Sequence, residues 1–126
     1  VKPAAMIDLA TLTGAILAAA FEVSNTLGYA FAEKVYHRAL AIELRLRGLI
    51  VETERKLDVY YKGQLVGEFF ADLIVDGRVI VEVKALPALM PAHTAQVLNY
   101  LRATGLRIAM LLNFGTGKVD YHRIVL

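Results

Sequence analysis

Three charged residues stand where their neighbours call for buried strands. Asp72 interrupts Phe70-Ala71-Asp72-Leu73-Ile74-Val75, and Glu82 and Lys84 interrupt Val79-Ile80-Val81-Glu82-Val83-Lys84. Glu82 and Lys84 are two positions apart, so a strand puts both on one face. Two facing carboxylates repel each other unless a cation lies between them. Hard oxygen donors in small number suit Mg²⁺ or Mn²⁺. A lysine beside a metal-bound water can orient it or offset phosphate charge. Asp72, Glu82 and Lys84 together would then suit metal-assisted hydrolysis of a phosphodiester, with Asp72 and Glu82 as the metal ligands. The same spacing also fits a solvated strand face carrying a Lys–carboxylate pair, and the residues alone leave both readings open.

Whether Asp72 joins the other two depends on the loop between the strands. A two-residue turn at Asp76-Gly77 would set Asp72 opposite Val81, on the wrong side. A three-residue loop, Asp76-Gly77-Arg78, pairs Val75 with Val79 and Asp72 with Glu82. That register also places Ala71, Leu73 and Val75 with Val79, Val81 and Val83 on one apolar face. Burial therefore selects the odd loop, and Gly77 can supply a left-handed residue within it.

The remaining elements must hold these strands in place. Ala5 to Val23 is rich in Ala and Leu and reads as a largely buried helix, ended by Ser24, Asn25, Thr26 and Gly28. Phe31 to Arg47 reads as an amphipathic helix with Val35, Ala39, Ile42 and Leu46 inward. Strands are expected at Leu49–Glu54, Leu57–Lys62, Leu65–Val75, Arg78–Ala85, Leu106–Asn113 and Val119–Val125, with a helix at Ala92–Thr104. His37 and His122 are too scattered to suggest a metal cluster, and His93 reads as a polar group at a helix start. Arg38, Arg45 and Arg102 fit a solvated surface as well as a phosphate-facing one.

Composition bounds the rest. At 126 residues the chain is one domain. Hydrophobic residues make up 57% and charged residues 21%, which excludes a disordered chain. So apolar a small domain is expected to form a homo-oligomer, with Ile7–Phe21 as the interface. The absence of cysteine excludes disulfides, thiolate metal sites and cysteine nucleophiles, and with no leader-like start it points to the cytoplasm. The longest apolar run, Ala15–Phe21, is shorter than a membrane span requires, so no membrane association is expected. A net charge of +2 permits DNA or RNA as a partner without arguing for either.

Asp72 followed by Glu82-Val83-Lys84 resembles the D…ExK core of the PD-(D/E)XK nuclease superfamily. More closely, the chain from about Thr13 onward resembles that superfamily's GxxExxY proteins. The matching stretches include Phe31-Ala32-Glu33-Lys34-Val35-Tyr36, Val59-Tyr60-Tyr61-Lys62-Gly63, Ala71-Asp72-Leu73, Val79-Ile80-Val81-Glu82-Val83-Lys84-Ala85, Gln96-Val97-Leu98-Asn99-Tyr100-Leu101 and Leu112-Asn113-Phe114-Gly115. The naming motif keeps its Glu and Tyr as Glu33 and Tyr36 but has Ala30 in place of Gly. The resemblance implies an α/β (α+β), restriction-endonuclease-like mixed central sheet flanked by helices in a single domain spanning residues 12–126, with residues 1–11 as an extension. It implies Mg²⁺ or Mn²⁺ held by Asp72 and Glu82, Lys84 as the catalytic lysine, Glu33 as an auxiliary acid, and Gln96 as a group holding substrate or water. A non-catalytic, self-assembling protein on the same fold is the alternative expectation. Lys2 to Ala15 is also similar to a stretch of leucyl aminopeptidases, but the acidic metal motif of those enzymes is absent, so no peptidase activity is implied.

Overall fold

The computed structural model describes residues 7–126. The expected start of the first helix at Ala5, and residues 1–6 of the expected extension, lie outside the described residues. Helix α1 spans Leu9–Leu27. The Asp8 carboxylate caps it, accepting the Thr11 N–H at 2.7 Å. The helix does not stop at Val23, because Ser, Asn and Thr cost only a few tenths of a kcal/mol each inside a helix, about 0.5 at most here. It stops at Gly28, whose φ is 72° and whose N–H donates to the Ser24 carbonyl at 2.8 Å. The helix therefore exceeds the expected apolar run and, by length and composition alone, is long enough to cross a membrane. In this fold Leu12, Ile16, Ala19, Ala20 and Val23 lie in the core, while Phe21 stays 41% exposed.

Helix α2 spans Glu33–Leu46. Its inward face is Tyr36, Leu40, Ala41 and Leu44; of the expected Val35, Ala39, Ile42 and Leu46, only Ala39 packs against the core. Ile42 and Leu46 are 59% and 76% exposed. Tyr36 sets the phase. Its ring stacks on Phe114 with centroids 4.9 Å apart. Its hydroxyl donates to the Gly28 carbonyl at 2.7 Å and accepts the Phe31 N–H at 3.3 Å. Burying a large aromatic ring with its polar tip satisfied outweighs burying the smaller aliphatic stripe.

Five strands follow in one sheet: β1 Val51–Tyr61, β2 Gln64–Val75, β3 Val79–Lys84, β4 Ile108–Asn113 and β5 Asp120–Val125, with helix α3 at Pro91–Thr104 between β3 and β4. Their spatial order is β1-β2-β3-β4-β5. All neighbours are antiparallel except β3 and β4, which are parallel and joined through α3. The β2–β3 register is the one burial selects, with Val75 opposite Val79 across the Asp76-Gly77-Arg78 loop. Asp76 as well as Gly77 takes positive φ there, 52° and 66°. Asp76 is held by Ile50, whose N–H donates to its carboxylate at 2.8 Å.

The sheet is covered on both faces. Leu73, Val75, Val79, Val81, Val83, Met110 and Leu112 pack with α1 and α2. Ile74, Ile80, Ala109, Leu111 and Ile124 pack with Val97, Tyr100 and Leu101 of α3. Two expectations need correcting. The strands expected at Leu49–Glu54 and Leu57–Lys62 are one strand, β1, bent at Glu54, whose φ is 50°. Ala71 does not share a face with Leu73 and Val75; it packs on the α3 side with Leu57. Both follow from one event: Glu54 and Asp72 are skipped in the β1–β2 ladder, and beyond them the hairpin turns its other side toward α3. Smaller shifts put the start of β4 at Ile108 rather than Leu106 and that of α3 at Pro91.

Candidate active site

The β2–β3 ladder ends at Leu73 opposite Val81. Past that point the bent hairpin departs, and the next backbone donors lose their strand partners. The two carboxylates replace them. Asp72 Oδ2 accepts the Val83 N–H at 2.8 Å, and Glu82 Oε1 accepts the Asp72 N–H at 3.1 Å. Each acid is thus clasped by the opposite strand, and the two side chains also share a hydrogen bond. Glu82 is only 3% exposed. Burial pushes its carboxyl up to about 9, and the charge of Asp72 adds to the push, while the Asp72 N–H and Lys84 pull the other way.

The helices converge on this pair. The His37 Nε2–H of α2 donates to the Asp72 carbonyl at 2.9 Å. Glu33, at the start of α2, has a partly enclosed carboxyl raised by burial; Lys84 opposes that rise and Asp72 adds to it. His37 and His93 also act on Glu33, so Asp72, Glu82, Lys84 and Glu33 form one electrostatic neighbourhood. Tyr100, largely buried on α3, has its hydroxyl raised by burial and by Glu82 and Asp72. Gln96, one turn earlier, is exposed and lines a cavity of about 280 Å³ with Tyr100 and Phe69. It makes no hydrogen bond to either acid.

Lys84 ends β3 opposite Asn113, and its carbonyl accepts the Phe114 N–H at 2.8 Å. The segment after it is braced by the fully buried Asn113. The Asn113 side chain accepts the Leu86 N–H at 2.8 Å, donates to the Leu86 carbonyl at 2.9 Å and accepts the Gly115 N–H at 3.2 Å. A side chain on Gly115 would place its Cβ 2.3 Å from the Leu86 carbonyl oxygen. His37, too scattered in the sequence to suggest a metal cluster, and Tyr100 both reach the acid pair. Their spacing held a signal: His37 and Tyr100 each lie four residues after Glu33 and Gln96, the interval that stacks side chains on one helix face.

Among the described residues no three or more His, Asp or Glu side chains form a ready-made metal cage. The donor set nonetheless fits a small hard cation. Mg²⁺ is typically held by one or two carboxylates with water and phosphate oxygens completing its shell. Asp72 and Glu82, side by side, would supply the two carboxylates.

The family model described as the PD-(D/E)XK nuclease superfamily matches residues 10–124. No curated protein matches the chain. Among solved structures, the crystal structure of SSO0001 is similar over 73% of this chain, with a TM-score of 0.61 and 18% sequence identity. This chain spans 48% of that chain's length, and at such identity the likeness shows the fold: a mixed sheet flanked by helices, restriction-endonuclease-like.

Proposed function

This chain belongs to the PD-(D/E)XK nuclease superfamily, and from that premise we propose that it hydrolyses nucleic-acid phosphodiesters with a divalent metal. The observation that carries the reading is the clasped acid pair at the end of the β2–β3 ladder, with Lys84 on the same face. A strand face meant only for solvent has no reason to hold a carboxyl buried and raised to about 9. We place the chain more finely in the GxxExxY family. Glu33 and Tyr36 support this, and so does Ala30, whose φ of 84° is a backbone state that the motif's glycine adopts freely.

In this reading Asp72 and Glu82 hold Mg²⁺ or Mn²⁺, which when bound supplies positive charge to the phosphate and acidity to water. The Lys84 ammonium holds the attacking water or a phosphate oxygen and offsets the charge that builds on it. Glu33, raised by burial beside Lys84, is placed to take up a proton. Gln96 holds substrate from the α3 side. Labelled DNA and RNA incubated with Mg²⁺ or Mn²⁺ should be cut by the natural protein. Asp72→Ala and Lys84→Ala should abolish cutting with the circular dichroism spectrum unchanged. A natural protein that cuts neither polymer with either metal would sink the reading.

A further inference from the structure

A groove lies between the hairpin and α3, with Tyr100 among its walls. Tyr100, close enough to Glu82 and Asp72 to feel their charge, touches Phe69 of β2 with ring centroids 5.9 Å apart. Phe69, Val59 and Asn99 line both the cavity at Gln96 and a second one of about 590 Å³ that continues to Tyr60 and Arg102. The two share these walls as one groove, and Tyr100 is the wall residue that feels the carboxylates. Its walls carry exposed aromatic surface, with Tyr60 62% and Phe69 46% exposed. Its rim carries a cation, Arg102, whose guanidinium is steadied by Asn99 at 3.1 Å.

We infer that this groove seats an unpaired nucleobase of a single-stranded stretch adjoining the phosphate at the acid pair; the inference rests on the nuclease reading. Bases inside a duplex present only their edges, whereas a wall of aromatic ring surface needs a base whose face is free. The Arg102 charge suits a neighbouring phosphate, and the amides of Gln96 and Asn99 suit a base edge. An apolar peptide would have no use for a cation on the rim.

The test measures fluorescence anisotropy with Ca²⁺ for fluorescein-labelled oligo(dT), a blunt duplex, and that duplex with a single-stranded tail. The natural protein should bind the first and third roughly tenfold tighter than the blunt duplex, the scale expected for base stacking on aromatic side chains. Tyr60→Ala should lose most of that preference and leave blunt-duplex binding unchanged. Phe69→Leu, which keeps apolar packing against Tyr100 but removes the ring, should do the same with an unchanged melting temperature. Equal affinity for all three probes would overturn the inference, as would variants that bind as the natural protein does. So would a natural dimer that these substitutions turn into a monomer without altering nucleic-acid affinity, since a second copy would then fill the groove. If cleavage that depends on Asp72 persists while the single-strand preference is missing, the groove assignment fails and the nuclease reading stands. If nothing is bound and nothing is cut, both fail.

Discussion

Glu82→Gln should make the metal-free protein more stable at neutral pH while removing its metal binding. The Glu82 carboxyl keeps its proton to about 9 in the folded chain, against an ordinary value of 4.5. Between those values the folded state binds more protons than the unfolded one, so stability falls as pH rises. At 1.36 kcal/mol for each pH unit, the loss from about pH 5 to about pH 7.5 is on the order of 3 kcal/mol. For a domain of this size about 1 kcal/mol moves the melting temperature by about 4 °C, so the drop is roughly 12 °C. Glutamine imitates the protonated acid. Its oxygen can still accept the Asp72 N–H, the contact Glu82 makes at 3.1 Å, and its amide N–H can donate to the Asp72 carboxylate in the proton's place. Thermal unfolding followed by circular dichroism in EDTA should therefore show a falling curve for the natural protein and a flatter one for the variant. Adding Mn²⁺ at hundredfold excess over its dissociation constant should return about 2.7 kcal/mol to the natural protein at neutral pH and nothing to the variant. Parallel curves for the two proteins, or a variant less stable than the natural protein near pH 8, would refute the reasoning.

Asn113→Ala should cost about 3 kcal/mol by chemical denaturation, because it leaves the Leu86 N–H and carbonyl without their buried partner. Gly115→Ala should be harsher and yield little folded protein, since its Cβ would collide with the backbone of Leu86. Ala30→Gly should raise stability by about 1 kcal/mol, because alanine at a φ of 84° carries a steric cost that glycine lacks; an unchanged or lower denaturation midpoint would show that the loop is not strained there.

Much of the sheet was legible because burial and register are the same question for a strand. Only a three-residue loop after Val75 puts Leu73 and Val75 with Val79, Val81 and Val83, and that is the pairing observed. The bend at Glu54 was not legible, since nothing in Glu52-Thr53-Glu54-Arg55 marks a positive φ. It becomes intelligible only opposite Asp72, whose backbone turns to a carboxylate partner instead of the neighbouring strand. The phase of α2 was misjudged for a related reason. Counting aliphatic residues gave Val35, Ile42 and Leu46 an inward face, but one tyrosine with a ring partner and two hydrogen bonds decided the rotation. Periodicity reports average burial, whereas single anchored residues fix the geometry that brings Glu33 and His37 beside Asp72.

The bend and the acid pair are therefore one feature. A regular ladder continued past Leu73 would spend the Asp72 and Val83 N–H groups on strand carbonyls. Ending the ladder there frees two donors at the point where two carboxylates meet, and the carboxylates take them. The arrangement is destabilising by itself near neutral pH, because burial makes Glu82 keep a proton that it would lose in the unfolded chain. It persists because its surroundings leave little room to relax: Asn113 and Gly115 pin the chain after Lys84, His37 holds the Asp72 carbonyl, and Tyr36 locks α2 against Phe114. A cation held by the two carboxyls would take the place of that proton. Rigid packing on three sides and an open groove on the fourth are what such a site requires.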